Sequence, residues 1–229
     1  MTAEQDTDRR QTSGDAGPYV PALGREWLTW LFDPMLKLTT RECVFKERLL
    51  EQADLRAGMD VLDLGCGTGT LMVLAKRRVP EANVTGIDGD PNVLERARRK
   101  ADRAGCLVKF DQGLSYDLPY AAASFDRVLS SLFFHHLVRR DKERTISELR
   151  RVLRPGGELH VADWGAPRGP VMKMLSTSIR LLDGHETTRD NLEGRLPWLF
   201  EEAGFEQVST RGHMQTIYGT LAFLAAVSP

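Results

Sequence analysis

From position 63 to position 69 the chain reads Asp-Leu-Gly-Cys-Gly-Thr-Gly, directly before the helical run Leu71–Arg78. Glycine at positions 65, 67 and 69 permits backbone angles closed to other residues, and lets main-chain amides at a helix start approach a ligand closely. That is the chemistry of holding a nucleotide-like cofactor, and Asp63, Gly65, Cys66, Gly67 and Gly69 are its first candidate residues. The G-x-G-x-G spacing departs from the dinucleotide pattern G-x-G-x-x-G, because position 70 is Thr. It departs from the phosphate loop as well, since no Gly-Lys-Ser/Thr follows. The next apolar run, Val84–Ile87, ends in Asp88, about twenty residues on, where a carboxylate can accept both hydroxyls of a ribose and disfavours a 2′-phosphate. Asp90, just before Pro91, suits the N-cap of the following helix, which leaves Asp88 for a ligand.

A second group follows later runs. Ser131, Phe134, His135 and His136 come after Val128–Leu132, and Asp163 and Trp164 after Leu159–Ala162. In an open parallel sheet, ligands bind beyond the carboxyl ends of the strands, near the reversal of strand order. A histidine there can move a proton near neutral pH. Asp163 would move a proton, hold a substrate hydroxyl or cap the next segment. His185, in the long connection before the helix Leu196–Ala203, is placed at the same pocket.

These groups require a scaffold, and the pattern after Gly58 supplies one. The short apolar runs Val61–Leu64, Val84–Ile87, Leu107–Phe110, Val128–Leu132 and Leu159–Ala162 alternate with charged segments of helical period, such as Asn92–Ala104 and Lys142–Leu153. That alternation predicts an α/β fold with crossover units on a parallel sheet and helices on both faces. Val208–Arg211 and Thr216–Ala226 are joined by a short turn, so the last strand should run antiparallel. Residues 1–18 are polar and read as a disordered tail. Residues 19–55 carry Tyr19, Trp27, Trp30 and Phe32 and then apolar residues at helical spacing, and are expected to form an N-terminal helical lid of two helices. Residues 56–229 form the main domain. Tyr19, Trp27 and Trp30 are candidate substrate contacts, suited to an apolar, aromatic or cationic molecule.

The 31 Lys and Arg against 32 Asp and Glu leave a formal net charge of -1, so no global field draws the chain onto nucleic acid. The three cysteines, Cys43, Cys66 and Cys106, have no C-x-x-C spacing, which gives neither a disulfide framework nor a zinc site. A reducing, cytoplasmic setting is expected, and no apolar run approaches the roughly 18 residues of a spanning helix.

The glycine loop, Asp88, Leu118-Pro119-Tyr120, Ser124-Phe125-Asp126-Arg127-Val128, Phe134-His135-His136-Leu137 and Leu149-Arg150-Arg151-Val152-Leu153-Arg154-Pro155-Gly156-Gly157 stand in one order along the chain. In that order they resemble the successive motifs of class I S-adenosylmethionine-dependent methyltransferases. Within that superfamily the chain is most similar to the small-molecule enzymes that include those of ubiquinone and menaquinone biosynthesis. The resemblance implies a Rossmann-like, seven-stranded, mostly parallel sheet with an antiparallel last strand, and S-adenosyl-L-methionine as cofactor. Asp63 and Gly65, Gly67 and Gly69 would hold its methionine part, Asp88 its ribose, and Ile87 and Gly89 would flank the adenine. The family usually carries Asp where this chain has Leu114; Ser115, or the main chain near Leu114, would replace it.

Methyl transfer from a sulfonium is a direct displacement, so the protein chiefly aligns the reactants and excludes water. The resemblance thus implies transfer to a small organic acceptor that is apolar, aromatic or amine-bearing. His135, His136 and Asp163 are the candidate catalytic residues, and Phe134, Trp164 and His185 join the substrate contacts. The amine-cradling Asn/Asp-Pro-Pro-aromatic sequence is absent after the fourth strand. Ser130 and Ser131 stand where the related magnesium enzymes carry an acid, so no metal is expected. The alternatives are a nicotinamide-dependent oxidoreductase and a non-catalytic S-adenosylmethionine-binding accessory protein. Acceptor identity, the atom methylated and oligomeric state are open at this level.

Overall fold

The computed structural model describes residues 42–229, apart from the side chains of residues 178 and 180–183. The tail 1–18, and the expected lid aromatics Tyr19, Trp27, Trp30 and Phe32, lie outside the described residues.

In chain order the elements are α1 (Glu42–Ala53), β1 (Asp60–Leu64), α2 (Thr70–Arg78), β2 (Asn83–Asp88), α3 (Pro91–Arg103) and β3 (Lys109–Gln112). There follow β4 (Phe125–Ser131), a 3-10 turn (Phe134–His136), α4 (Arg139–Val152), β5 (Leu153–Trp164), α5 (Pro170–Asp183), α6 (His185–Leu192), α7 (Leu196–Glu202), β6 (Glu206–Gln215) and β7 (Thr220–Val227). The seven strands form one sheet in the order β3-β2-β1-β4-β5-β7-β6. β1 pairs in parallel with β2 and β4, while β7 runs antiparallel to both β5 and β6. The strand order reverses at β1 and β4, which opens the crevice in which α/β sheets bind ligands.

Alternation along the central strands builds two core layers. Val61 and Leu129 pack with Phe45, Leu49, Leu71 and Met72 on one face. Leu62, Leu64 and Val128 pack with Ile146, Leu149 and Phe200 on the other. Strands buried on both faces read as near-continuous apolar runs, which is why β1 and β4 stand out in the sequence. Within the expected lid segment, α1 lies against β4, β5 and α2, with Phe45, Leu49, Leu50 and Ala53 fully buried, so residues 42–53 belong to the core.

Several elements differ from expectation. β3 starts at Lys109, and Leu107 is 89% exposed, because the register Thr85↔Lys109 begins the pairing two residues later. β4 ends at Ser131, since Leu132 turns into the left-handed region at φ 53. The long connection after β5 contains two helices, α5 and α6. Their punctuation is visible in the sequence: Gly169-Pro170 opens α5 with proline in the first turn, and Gly184, at φ 91, separates the two.

Candidate active site

The glycine loop leaves β1 at the carboxyl edge of the sheet. Gly65, Gly67 and Gly69 all have positive φ, at 65°, 54° and 72°, which accounts for the residue type at each. A Cβ on Gly65 would overlap the Phe133 ring from the segment after β4, whereas one on Gly67 would meet no atom of the described residues within 4 Å. The space above Gly67 is thus open to a ligand. The loop is held from three sides: the Cys66 amide donates to Ile87 O at 3.0 Å, and the Gly67 amide to Asp88 Oδ2 at 2.9 Å. Lys100 of α3 donates to Thr68 Oγ1 at 2.9 Å and Thr70 Oγ1 at 2.7 Å, a staple that its place in an ordinary basic run concealed. Cys66 is buried, and burial pushes its thiol pKa up, so it packs as a small apolar residue.

Asp63 lies on β1 itself, two residues before Gly65; it is 1% exposed, and among the described residues neither carboxylate oxygen has a hydrogen-bond partner. Burial pushes its pKa up to about 7; nearby Asp88 adds to the rise and Lys46 opposes it. A buried carboxyl left unpaired costs stability unless a cation or donor arrives. Asp88 is less isolated, because Oδ1 also accepts from the Asp90 amide at 3.0 Å. Burial raises its pKa against these amide bonds. Asp90 caps α3 as expected, accepting from the amides of Asn92 at 2.8 Å and Val93 at 3.4 Å. Gly89 occupies the turn between the two acids. Asp88 is therefore not left wholly to a ligand: each oxygen keeps its remaining lone pair.

Where the adenine contact was expected, Ser115 is buried and its hydroxyl pairs with Thr145 Oγ1 of α4 at 2.8 Å. The Leu114 carbonyl accepts from the Asp117 amide at 3.2 Å, and the Gly113 amide donates to Asp88 O at 3.1 Å. Main-chain groups, with the partly exposed Leu114 side chain, border that side.

The second half of the site is organised by Asp163 at the end of β5. Its Oδ2 accepts from the amides of Phe133 at 3.1 Å and Phe134 at 2.7 Å. Its Oδ1 accepts from the Trp164 amide at 2.7 Å and lies 2.7 Å from His135 Nδ1. Burial would raise the Asp163 pKa, but the adjoining His135 and the backbone donors outweigh it, and the net shift is downward. Asp163 is thus a carboxylate whose acceptor positions are already engaged. It orients its neighbours and fixes His135 with the proton on Nδ1, which makes Nε2 the basic atom.

His135 is buried, its ring 3.9 Å from that of His136 and 6.2 Å from that of Trp164 between centroids. His136 keeps an exposed surface, yet the protein packed around it and neighbouring His135 hold its pKa below the usual imidazole value. Ser131, partly buried, pairs with Ala162 where β4 and β5 end. Two candidate substrate contacts differ in exposure. Phe134 is fully buried between Phe133 and Phe200, at centroid distances of 6.0 and 5.7 Å, so it is a core residue. His185 stands exposed at the first position of α6. Trp164 is buried in the core layer of α1 and touches the site through His135.

Behind the turn, Lys142 is wholly buried, donating to Thr187 O of α6 at 2.6 Å and pairing with Asp190 at 3.4 Å. Arg139 donates to Asp190 Oδ1 at 2.6 Å. These bonds dock α6 onto α4, a connection between positions about fifty residues apart that spacing does not reveal.

Residues 61–157 match a family described as methyltransferase domain. The chain is 37% identical over 123 residues to a demethylmenaquinone methyltransferase of Thermus thermophilus, a match that covers 54% of this chain and 55% of that protein. The chain thus spans about half the length of that relative. An uncharacterized methyltransferase of Synechocystis sp. is 30% identical over 183 residues, covering 78% of this chain and 84% of that one. Among solved structures, a SAM-dependent methyltransferase from Aquifex aeolicus superposes with a TM-score of 0.58 at 21% identity, covering 80% of this chain and 89% of that chain, a likeness of fold. Those relatives leave no room for the nicotinamide oxidoreductase alternative, and with the strand order, the glycine loop and the acid after β2 in place, the chain belongs to the class I S-adenosylmethionine-dependent methyltransferases.

Proposed function

We propose that this protein transfers a methyl group from S-adenosylmethionine to a small organic acceptor by direct displacement. The observation that carries the proposal is the pairing of an unpartnered buried Asp63 and an open Gly67 with the Asp163-oriented His135 on the adjacent strand ends. One half suits the cofactor and the other an acceptor.

The orphaned Asp63 and the uncovered Gly67 fit this cofactor, which is both cationic and rich in hydroxyls. Asp63 would accept from its ammonium, the loop amides would lie along its methionine chain, and Asp88 would take the ribose hydroxyls. When bound, the cofactor supplies an electrophilic methyl on a positively charged sulfur. The chain's own residues do the rest. Asp163 holds the turn Phe133–His135 by its amides and sets the His135 tautomer. His135 Nε2 takes the proton of an acceptor whose nucleophile carries one, a role typically worth about 10²- to 10⁴-fold. For an unprotonated amine or thiolate, alignment is sufficient. Asp163 acts through His135, as a positioning residue.

A small-molecule acceptor is supported by the charge balance and by the kinship with a demethylmenaquinone methyltransferase, whose name points to a quinone-derived ring. Among the described residues no helix is long and apolar enough to cross a membrane. Calorimetric titration with S-adenosylmethionine, its demethylated product and NAD tests the cofactor assignment. Transfer of labelled methyl across phenols, quinols and amines tests the reaction. Binding of the first two without NAD, and a labelled product, are expected; absence of S-adenosylmethionine binding would overturn the proposal.

A further inference from the structure

Asn191 of α6 is 1% exposed, and among the described residues neither its Oδ1 nor its Nδ2 has a hydrogen-bond partner. A carboxamide carries two donors and two acceptor sites, so burying it unpaired is costly, and an apolar residue of similar size would fit the same space more cheaply. Such a group calls for a reason beyond packing.

The direction in which Asn191 looks follows from its neighbours on α6. Asp190 points to α4, where Arg139 and Lys142 hold it. Leu192 points to the core layer that contains Trp164 and Ile179. Thr188, Asp190, Asn191 and Leu192 are buried while His185, Glu186, Arg189 and Glu193 are exposed, so at about 100° per residue Asn191 stands near the middle of the buried face of α6. Of the elements that carry the site, α6 packs against both β5 and the Phe134–His136 turn. The buried face that carries Asn191 is thus packed on the two elements that carry His135 and Asp163.

We infer that Asn191 is a specificity-determining contact for the methyl acceptor, pairing with a hydroxyl or carbonyl oxygen that an aromatic acceptor presents beside His135. The inference rests on the methyl-transfer reading and narrows its substrate class to oxygen-bearing rings, since a hydrocarbon ring or a quaternary amine leaves the carboxamide unpaired. Lys142, Asp190 and Arg139 keep α6 in place and so hold Asn191 in position.

The test uses the full chain saturated with S-adenosylhomocysteine, phenol as the probe and toluene as its hydroxyl-free counterpart. The binding of S-adenosylhomocysteine is measured first, and its failure sinks the methyl-transfer reading itself. With it bound, phenol is expected to shift the Asn191 side-chain amide resonances, and Asn191→Leu to weaken phenol at least tenfold with toluene unchanged. The same variant should bind S-adenosylhomocysteine like the wild type and melt no lower, because it discards an unpaired polar group. If Leu does not fold in that space, Asn191→Ala is read in its place. Unmoved amide resonances, phenol binding equal in variant and wild type, or no phenol binding by the wild type would each overturn the inference.

Discussion

His135 Nδ1 lies 2.7 Å from Asp163 Oδ1, and the other oxygen of that carboxylate holds the amides of Phe133 and Phe134. One side chain at the end of β5 therefore builds the turn after β4 and sets the tautomer of the histidine on it. Asp163→Asn should lower single-turnover methyl transfer by about 10²-fold or more, and His135→Ala by a similar factor. Because the two act as a unit, the double variant should lose little beyond either single one. Rates within about threefold of wild type for both, with cofactor binding intact, would remove the pair from the chemistry.

Asp63 sets stability against binding. Its folded pKa, about 7, lies above the ordinary carboxylate value, so the native state holds a proton that the unfolded chain has lost. The stability it contributes is full below about pH 4 and is lost as pH rises to about 7, a span of roughly 4 kcal/mol at most. Asp63→Asn should flatten that part of the pH profile, raise the melting temperature of the ligand-free protein at pH 8, and weaken S-adenosylmethionine. In the wild type, affinity should fall as pH drops below about 7, where Asp63 is neutral. Denaturant melts and calorimetry at pH 5, 6, 7 and 8 read both effects, and a variant with the wild-type pH profile would refute the account.

Asp88→Ala should weaken the cofactor at least tenfold, about 1.4 kcal/mol, since it removes the acceptor for the ribose and releases the Gly67 amide. Titration of the folded variant with S-adenosylmethionine decides this, and unchanged affinity counts against Asp88 as a ribose ligand.

Gly65 and Phe133 should be coupled. Gly65→Ala drives a methyl group into the Phe133 ring at a positive φ, at a cost of about 2–4 kcal/mol. Phe133→Ala in the same chain should recover part of that loss. Urea melts of the two singles and the double measure the coupling; strict additivity would show that the ring does not rest on the glycine.

Turnover should be indifferent to EDTA. Both oxygens of Asp163 accept hydrogen bonds from protein donors, and Ser130 and Ser131 occupy the strand end beside it. Activity abolished by chelation and restored by magnesium would contradict this.

The element order, the parallel sheet with its reversed last strand and the cofactor loop were legible in the sequence because each has a local cause. Apolar runs buried on both faces mark the strands, positive φ selects Gly65, Gly67 and Gly69, and Asp90 before Pro91 marks a helix start. Asp63 and Asp88 stand near the ends of two consecutive strands, and the strand-helix-strand alternation already implies that these pair in parallel. What lay beyond reach were pairings set by packing between distant segments. Position alone allowed Asp163 to be a base, but three backbone amides and His135 converge on it only once β4 and β5 are side by side. Nor does spacing show that Thr145 of α4 meets the Ser115 hydroxyl, or that Phe200 of α7 packs against Phe134. Asn191 carried no signal at all in the sequence. A carboxamide in a polar helix is unremarked until the docking of α6 buries it without a partner, and desolvation, a property of the assembled fold, is what gives it meaning.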